Sequence, residues 1–162
     1  MAQRNYSLYA IYGIADRSLY IGHSCWLKAR LGRHAAELEK DDHHAPLLEA
    51  AYRRSLVAGK PLRVIGLDWD TDETLVKVME NVLLANSAKY AAGWHLANEL
   101  IPTVTEVKRI HGDGWVRTAL DRIKVRAQPT LAKMSPVTPQ QITGDLQDYR
   151  EFVSRFGSRA NA

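Results

Sequence analysis

The chain has little of what secreted and membrane-spanning proteins need. Its 162 residues include one cysteine, Cys25, so no disulfide can form within the chain, and the thiol has no clear catalytic partner. The short polar stretch 1–10 is not followed by an apolar run, which argues against a signal peptide and against a membrane span. No internal repeat and no low-complexity tract is present. We therefore expect a soluble, cytoplasmic protein with one main hydrophobic core, which 46% hydrophobic residues can fill.

The net charge of +4 is distributed unevenly along the sequence. Residues 1–101 contain 12 Lys and Arg and 12 Asp and Glu, whereas residues 102–162 contain 10 and 6. A basic excess of this size is common among soluble domains. By charge alone it is as compatible with a solvated surface as with a nucleic-acid contact.

Two tyrosines are predicted to lie on a β-hairpin. Residues 7–13 and 19–21 are β-prone runs around the turn-like segment 15–18. If residue 14 pairs with residue 18, Tyr12 pairs with Tyr20 and both rings leave the same face of the sheet. A register shifted by one residue would separate them. A third strand is expected over 62–68.

Predicted helices over 24–40, 46–57 and 70–90 bring polar residues to this sheet. Arg30 and His34 are four residues apart and are therefore neighbours on the first helix. Glu80, on the third, lies at the margin of the apolar stripe that packs on the sheet, where a carboxylate is suited to a divalent ion. A metal site formed by the adjacent acidic and histidine residues of 41–44 is less favoured, because neighbouring loop side chains rarely close around one ion.

Residues 7–98 resemble the GIY-YIG nucleases. The strongest part of the resemblance is the run 20–24 (YIGHS), followed without a gap by Arg30 and His34. The GIY half is matched by 10–12 (AIY), in which alanine replaces the glycine.

Three further positions extend the resemblance. His43 is similar to a histidine that some members use near the phosphate, and Glu80 to the metal-binding glutamate. The family often has an asparagine after a glycine-aromatic pair, whereas here the pair 93–94 is followed by His95, with Asn98 three residues later. Both stay candidates for contacts with the substrate.

The resemblance implies an α+β fold in which helices flank a small three-stranded antiparallel sheet. It also implies a metal-dependent endonuclease that hydrolyses DNA to 5′-phosphate and 3′-hydroxyl ends with Mg²⁺ or Mn²⁺. Tyr12, assisted by Tyr20 and His34, would take the proton from water, and nearby positive charge would depress the pKa of Tyr12. Arg30 would contact the scissile phosphate and Glu80 would bind the metal. No organic cofactor is expected.

Residues 101–162 are predicted to form a basic, mainly helical extension of the catalytic domain 1–100, with a proline-containing linker over 128–140. A helix near 115–126 would offer basic side chains to DNA: Arg117, Arg122, Lys124 and Arg126. A last helix, from Pro139 to Gly157, carries an amphipathic stripe that must dock on its own core or on a partner, and a homodimer through this helix is one candidate.

Two other classes stay open from sequence alone. One is a nucleic-acid-binding module that kept the fold and lost turnover, which His95 in place of asparagine suggests. The other is an adaptor protein that acts through its amphipathic C-terminal helix. DNA is the expected substrate, and the sequence does not separate it from RNA.

Overall fold

The computed structural model describes residues 3–134 and 147–148. Its centre is an antiparallel sheet of three strands, β1 (Tyr6–Gly13), β2 (Ser18–Ser24) and β3 (Arg63–Asp70), with β1 between the other two. Two short strands widen it: β4 (His95–Leu96) pairs parallel with β2, and β5 (Gln147–Asp148) pairs antiparallel with β3. The α+β class is thus confirmed. The prediction of a three-stranded antiparallel sheet is wrong, because the sheet is mixed and has the order β4-β2-β1-β3-β5.

Seven helices lie in the part of the chain that the structure describes. They are α1 (Leu27–Glu39), α2 (Pro46–Ala58), α3 (Glu73–Ala85), α4 (Ser87–Tyr90), α5 (Val104–His111), α6 (Asp113–Val125) and α7 (Ala127–Lys133). Local sequence explains several boundaries. Asp72 caps α3 by accepting hydrogen bonds from the backbone of Thr74 and Leu75, and Pro46 begins α2 where a missing N–H costs nothing. None of these helices is both long and apolar enough to cross a bilayer.

Side-chain alternation divides the sheet into two faces. The α1 face carries Tyr9, Ile11 and Tyr20 and is covered by α1 and α2. The α3 face is covered by α3, on which α5 and α6 pack in turn. It carries Leu8, Ala10, Tyr12, Leu19 and Ile21. Because each strand sends alternate side chains to opposite faces, the hairpin register decides which tyrosine meets which helix.

The C-terminal helices share the core of the α3 face. Their buried residues belong to the same apolar cluster as those of α3: Val107, Val116, Ala119, Ile123, Ala127 and Leu131. A division of the chain at residue 100 stays a prediction, and α7 occupies the first part of the segment that was predicted to be a linker. The predicted last helix lies outside the described residues, except that 147–148 form β5.

Candidate active site

The hairpin register differs by one residue from the predicted one. Gly13 pairs with Ser18, so the connecting loop has the four residues 14–17, in which Asp16 accepts a hydrogen bond from the Ser18 backbone N–H at 3.1 Å. As a result Ile11 pairs with Tyr20, and Tyr12 pairs with Leu19. The prediction that Tyr12 and Tyr20 share a face is therefore wrong.

Tyr12 is a core residue of the α3 face. Its side chain is fully buried, and its ring meets the ring of Trp94 edge-on at 5.6 Å between centroids. Burial raises the pKa of Tyr12, with the charge of Arg63 acting in the opposite direction. The phenol oxygen has no hydrogen-bond partner of normal geometry in the described residues. This placement does not support Tyr12 as the residue that takes a proton from water.

Tyr9 occupies the place that Tyr12 was expected to have. It lies on the α1 face, and its phenol oxygen is 2.8 Å from Nε2 of His34. Its partner across the hairpin is Gly22, where an added Cβ would be 2.7 Å from the Tyr9 oxygen. Only glycine leaves room for the phenol there, so a strand glycine opposite position 9 was the sequence signal for this residue.

Tyr20 completes a pair of phenols around Arg30. The Tyr20 ring lies on the same face, 5.1 Å from the His34 ring. Burial raises the pKa of both Tyr9 and Tyr20, and the positive charge of the half-buried Arg30 beside them lowers both. Burial outweighs the charge of Arg30, so both pKa values lie above the usual tyrosine value in the protein without metal or substrate.

Two stacked histidines lie behind Tyr9. His34 Nδ1 is 2.6 Å from His43 Nε2, and His43 Nδ1 accepts the backbone N–H of Ala45 at 2.9 Å. Burial, followed by the charge of Arg30, lowers the pKa of His34 to about 2, and burial, followed by His44, lowers that of His43 to about 4. Both are neutral at neutral pH. The His43 side chain is fully buried, so the prediction that it contacts the substrate is not supported.

Glu37 and His44 border this histidine pair. Within the described residues, ligand atoms of His34, Glu37 and His43 lie within 4.8 Å of one another, close enough to surround a metal ion. One carboxylate oxygen of Glu37 is buried without a hydrogen-bond partner in the described residues, 3.5 Å from Nδ1 of His44. Nε2 of His44 in turn is 3.4 Å from the Tyr20 oxygen.

Glu80 approaches from α3, at the end of β2. Its carboxylate is hydrogen-bonded to Nδ1 of His23, a residue that the sequence did not single out, and its side chain stays 19% exposed. The charge of Glu80 raises the pKa of both Tyr9 and Tyr20. The charge of the acid therefore acts on the two phenols of the α1 face, although its helix packs on the opposite face.

Asn98 and His95 have different surroundings. Asn98 is buried, accepts the Ile21 backbone N–H at 3.0 Å and donates to the Ile21 carbonyl at 2.7 Å. It thereby continues the parallel pairing of β4 and holds β2 in place between Tyr20 and Gly22. His95 is exposed, and its backbone N–H donates to the carbonyl of Arg17 at 2.7 Å.

The predicted basic contacts of α6 also separate into two kinds. Arg122 binds Asp70 at 2.8 Å and Asp68 at 3.2 Å and so ties α6 to β3, which leaves it poorly placed for DNA. Arg117 and Lys124 are exposed.

Arg126 lines an open groove of about 500 Å³ together with Gly66 and Trp69. Gly66 pairs with Tyr9, so this groove extends to the residue of β3 next to Tyr9 in the sheet.

Comparison with known proteins adds no relative: no family model, no curated protein and no solved structure matches this chain. The case for a function therefore rests on the arrangement of the residues described above.

Proposed function

We propose that the protein is a metal-dependent endonuclease of the GIY-YIG type, which hydrolyses DNA phosphodiester bonds and leaves 5′-phosphate and 3′-hydroxyl ends. The observation that supports this most is that Tyr9, Tyr20 and Arg30 meet on one face of the sheet, within the electrostatic reach of Glu80. The resemblance of residues 7–98 supports the reaction class, and the arrangement of these side chains supports the roles proposed below.

Arg30 is the candidate phosphate-binding residue. Its guanidinium is half-buried beside two phenols: burial lowers the pKa of Arg30, and Tyr9 and Tyr20 raise it by more. A guanidinium presents its donors as a fork that matches two phosphate oxygens. Arg30 would therefore stabilise the negative charge that builds up on the phosphorus oxygens during hydrolysis.

Tyr9 and Tyr20 are the candidates for orienting the attacking water. Their oxygens lie beside Arg30, so a water between them and a bound phosphate would be close to the bond to be cut. Tyr9 takes the role of proton acceptor in place of Tyr12. Its deprotonated form is favoured by the charge of Arg30 and opposed by burial, so substrate binding must shift this balance.

Glu80 suits a divalent ion. One of its carboxylate oxygens is held by His23, and the side chain is partly open to solvent. Mg²⁺ is commonly bound by one or two carboxylates together with phosphate oxygens and water, so a single oriented carboxylate is sufficient. When bound, Mg²⁺ or Mn²⁺ would supply positive charge to the phosphate and to the departing 3′ oxygen. The hydrogen bond from His23 would keep the Glu80 carboxylate in one orientation.

The proposal is tested by incubating the full chain with plasmid, single-stranded and branched DNA, and with matching RNA, in Mg²⁺ and in EDTA. We expect cutting of DNA in Mg²⁺ only, with products that a ligase can rejoin because they carry 5′-phosphate and 3′-hydroxyl ends. Cutting that persists in EDTA would remove the metal from the account. Products with 3′-phosphate ends would contradict the reaction.

A binding module without turnover is the second candidate. The raised pKa of both Tyr9 and Tyr20 favours it, because a protonated phenol is a poor proton acceptor. It predicts retention of DNA in a mobility-shift assay with no cutting in Mg²⁺ or Mn²⁺. The adaptor alternative depends on a helix that lies outside the described residues.

A further inference from the structure

We propose that His43 is a positioning residue that fixes the direction of the hydrogen bonds running through His34 to Tyr9, so that His34 donates to the phenol and cannot itself take a proton from water. We call Ala45, His43, His34 and Tyr9 the histidine network. The inference rests on the proposed function, because it assigns roles within that site.

The direction is set at Ala45. A backbone N–H can only donate, and the N–H of Ala45 points at Nδ1 of His43 at 2.9 Å. Nδ1 must therefore carry a lone pair. A neutral imidazole has one N–H, so the hydrogen of His43 is on Nε2. Protonation of both nitrogens would place an N–H of His43 against the N–H of Ala45.

The same argument applies to His34. The Nε2–H of His43 faces Nδ1 of His34 at 2.6 Å, so this nitrogen accepts and the hydrogen of His34 is on Nε2. That N–H is 2.8 Å from the Tyr9 oxygen and donates to it. Every bond of the histidine network therefore points from the backbone towards the phenol.

Two consequences follow for the site. The Tyr9 oxygen receives a donor from His34 and lies beside the charge of Arg30, and both favour the phenolate that a proton acceptor needs. His34 has no free lone pair, so the predicted assistance of His34 consists of donating a hydrogen bond and not of accepting a proton.

The direction of these hydrogen bonds also argues against a metal ion between His34, Glu37 and His43. Metal ligation through Nε2 of His43 requires the lone pair on that nitrogen, which moves the hydrogen to Nδ1 and opposes the N–H of Ala45. The short distance between the two histidines is thus explained by the hydrogen bond that joins them.

The first measurement is a ¹⁵N NMR experiment on the imidazole nitrogens of the full-length wild-type protein, without DNA. We expect the hydrogen on Nε2 in both His34 and His43, and no change on addition of Zn²⁺. A hydrogen on Nδ1 of His34, or a shift of both rings on binding Zn²⁺, would overturn the inference. This readout needs no cleavage. An inactive protein with the expected tautomers would therefore contradict the proposed nuclease function and support the inferred direction of the hydrogen bonds.

The second measurement compares His43→Gln with His43→Leu, two side chains of similar size. Glutamine can accept the Ala45 N–H and donate to His34, whereas leucine can do neither. We expect His43→Gln to retain most of the single-turnover cleavage rate. His43→Leu should lose roughly ten- to hundred-fold in rate with DNA binding unchanged, as for other residues that orient a catalytic group. Equal rates in two folded variants would contradict a role in setting the tautomer.

Discussion

Each face of the sheet fully buries one tyrosine of β1, and the two rings have very different surroundings. Tyr12, on the α3 face, lies among apolar side chains and against Trp94, with no hydrogen-bond partner of normal geometry for its oxygen in the described part of the chain. Tyr9, on the α1 face, is bonded to His34 and lies beside Tyr20 and Arg30. Both phenols are fully buried, which raises the pKa of each, and an arginine charge acts in the opposite direction on each. Burial alone therefore does not distinguish a core tyrosine from a candidate catalytic one; the polar partners do.

The largest effect is expected from removing each hydroxyl in turn. Tyr9→Phe should reduce the single-turnover rate of DNA cleavage by roughly 10²–10⁴-fold, the contribution of a positioned acid or base. Tyr12→Phe should leave the rate unchanged and alter the free energy of unfolding by less than about 1 kcal/mol, because the lost hydroxyl makes no regular hydrogen bond. If the two variants cut equally well, the difference between the faces has no catalytic meaning.

A smaller effect is expected at the two glycines that flank Tyr9. In Gly22→Ala the new methyl group would be 2.7 Å from the Tyr9 oxygen, so the ring must move, and we expect cleavage to fall roughly ten- to hundred-fold. Gly66 pairs with Tyr9 from the other side, and a Cβ there meets nothing within 4 Å in the described residues. Gly66→Ala is therefore the matched control and should cut as the wild type does. A harmless Gly22→Ala would show that the position of the Tyr9 ring is not critical.

The smallest effect concerns stability against pH. In the folded protein the pKa values of His34 and His43 are about 2 and about 4, below the value of about 6.5 in an unfolded chain. Below pH 6.5 the unfolded state thus binds protons that the folded state does not, and stability falls as the pH drops towards 4. We expect a loss of about 1 kcal/mol per pH unit for each histidine, measured by urea unfolding between pH 6 and pH 4.

Substitution separates this contribution from that of the carboxylates. His43→Gln should flatten the pH dependence of the free energy of unfolding, whereas His95→Gln, at an exposed position, should leave it as in the wild type. Identical slopes in all three proteins would mean that His43 takes up a proton in the folded protein as readily as in the unfolded chain.

The elements of the fold were largely predictable because they follow from local patterns. β-prone and apolar runs between turn residues indicated β1, β2 and β3, and Pro46 marked the start of α2. The helix predicted over 70–90 is shorter at both ends, because Asp70 ends β3, Asp72 caps α3 and α3 ends at Ala85. β4 and β5 have two residues each and exist through pairing with distant strands, so no local pattern indicated them. The start of the helix predicted over 24–40 was wrong: the Ser24 oxygen accepts the Trp26 N–H, and α1 begins at Leu27.

The candidate site was predictable in part. Tyr20, Arg30, His34 and Glu80 were selected from the sequence, and the structure places them around one region of the sheet. Tyr9 was missed because a loop of four residues instead of three shifts the hairpin by one position, which moves every side chain to the other face. His23 was missed because its partner is 57 residues away, and a contact over that separation leaves no trace in one sequence.

The most direct test of the account is whether the acid of α3 and the phenols of the α1 face form one metal-dependent centre. Glu80→Gln and Glu73→Gln make the same change on the same helix, at the site and at an exposed ion pair with Lys77. In a Mg²⁺ titration of single-turnover DNA cleavage, we predict that Glu73→Gln matches the wild type and that Glu80→Gln loses roughly a hundred-fold or more at every Mg²⁺ concentration. Wild-type cleavage by Glu80→Gln would contradict the account.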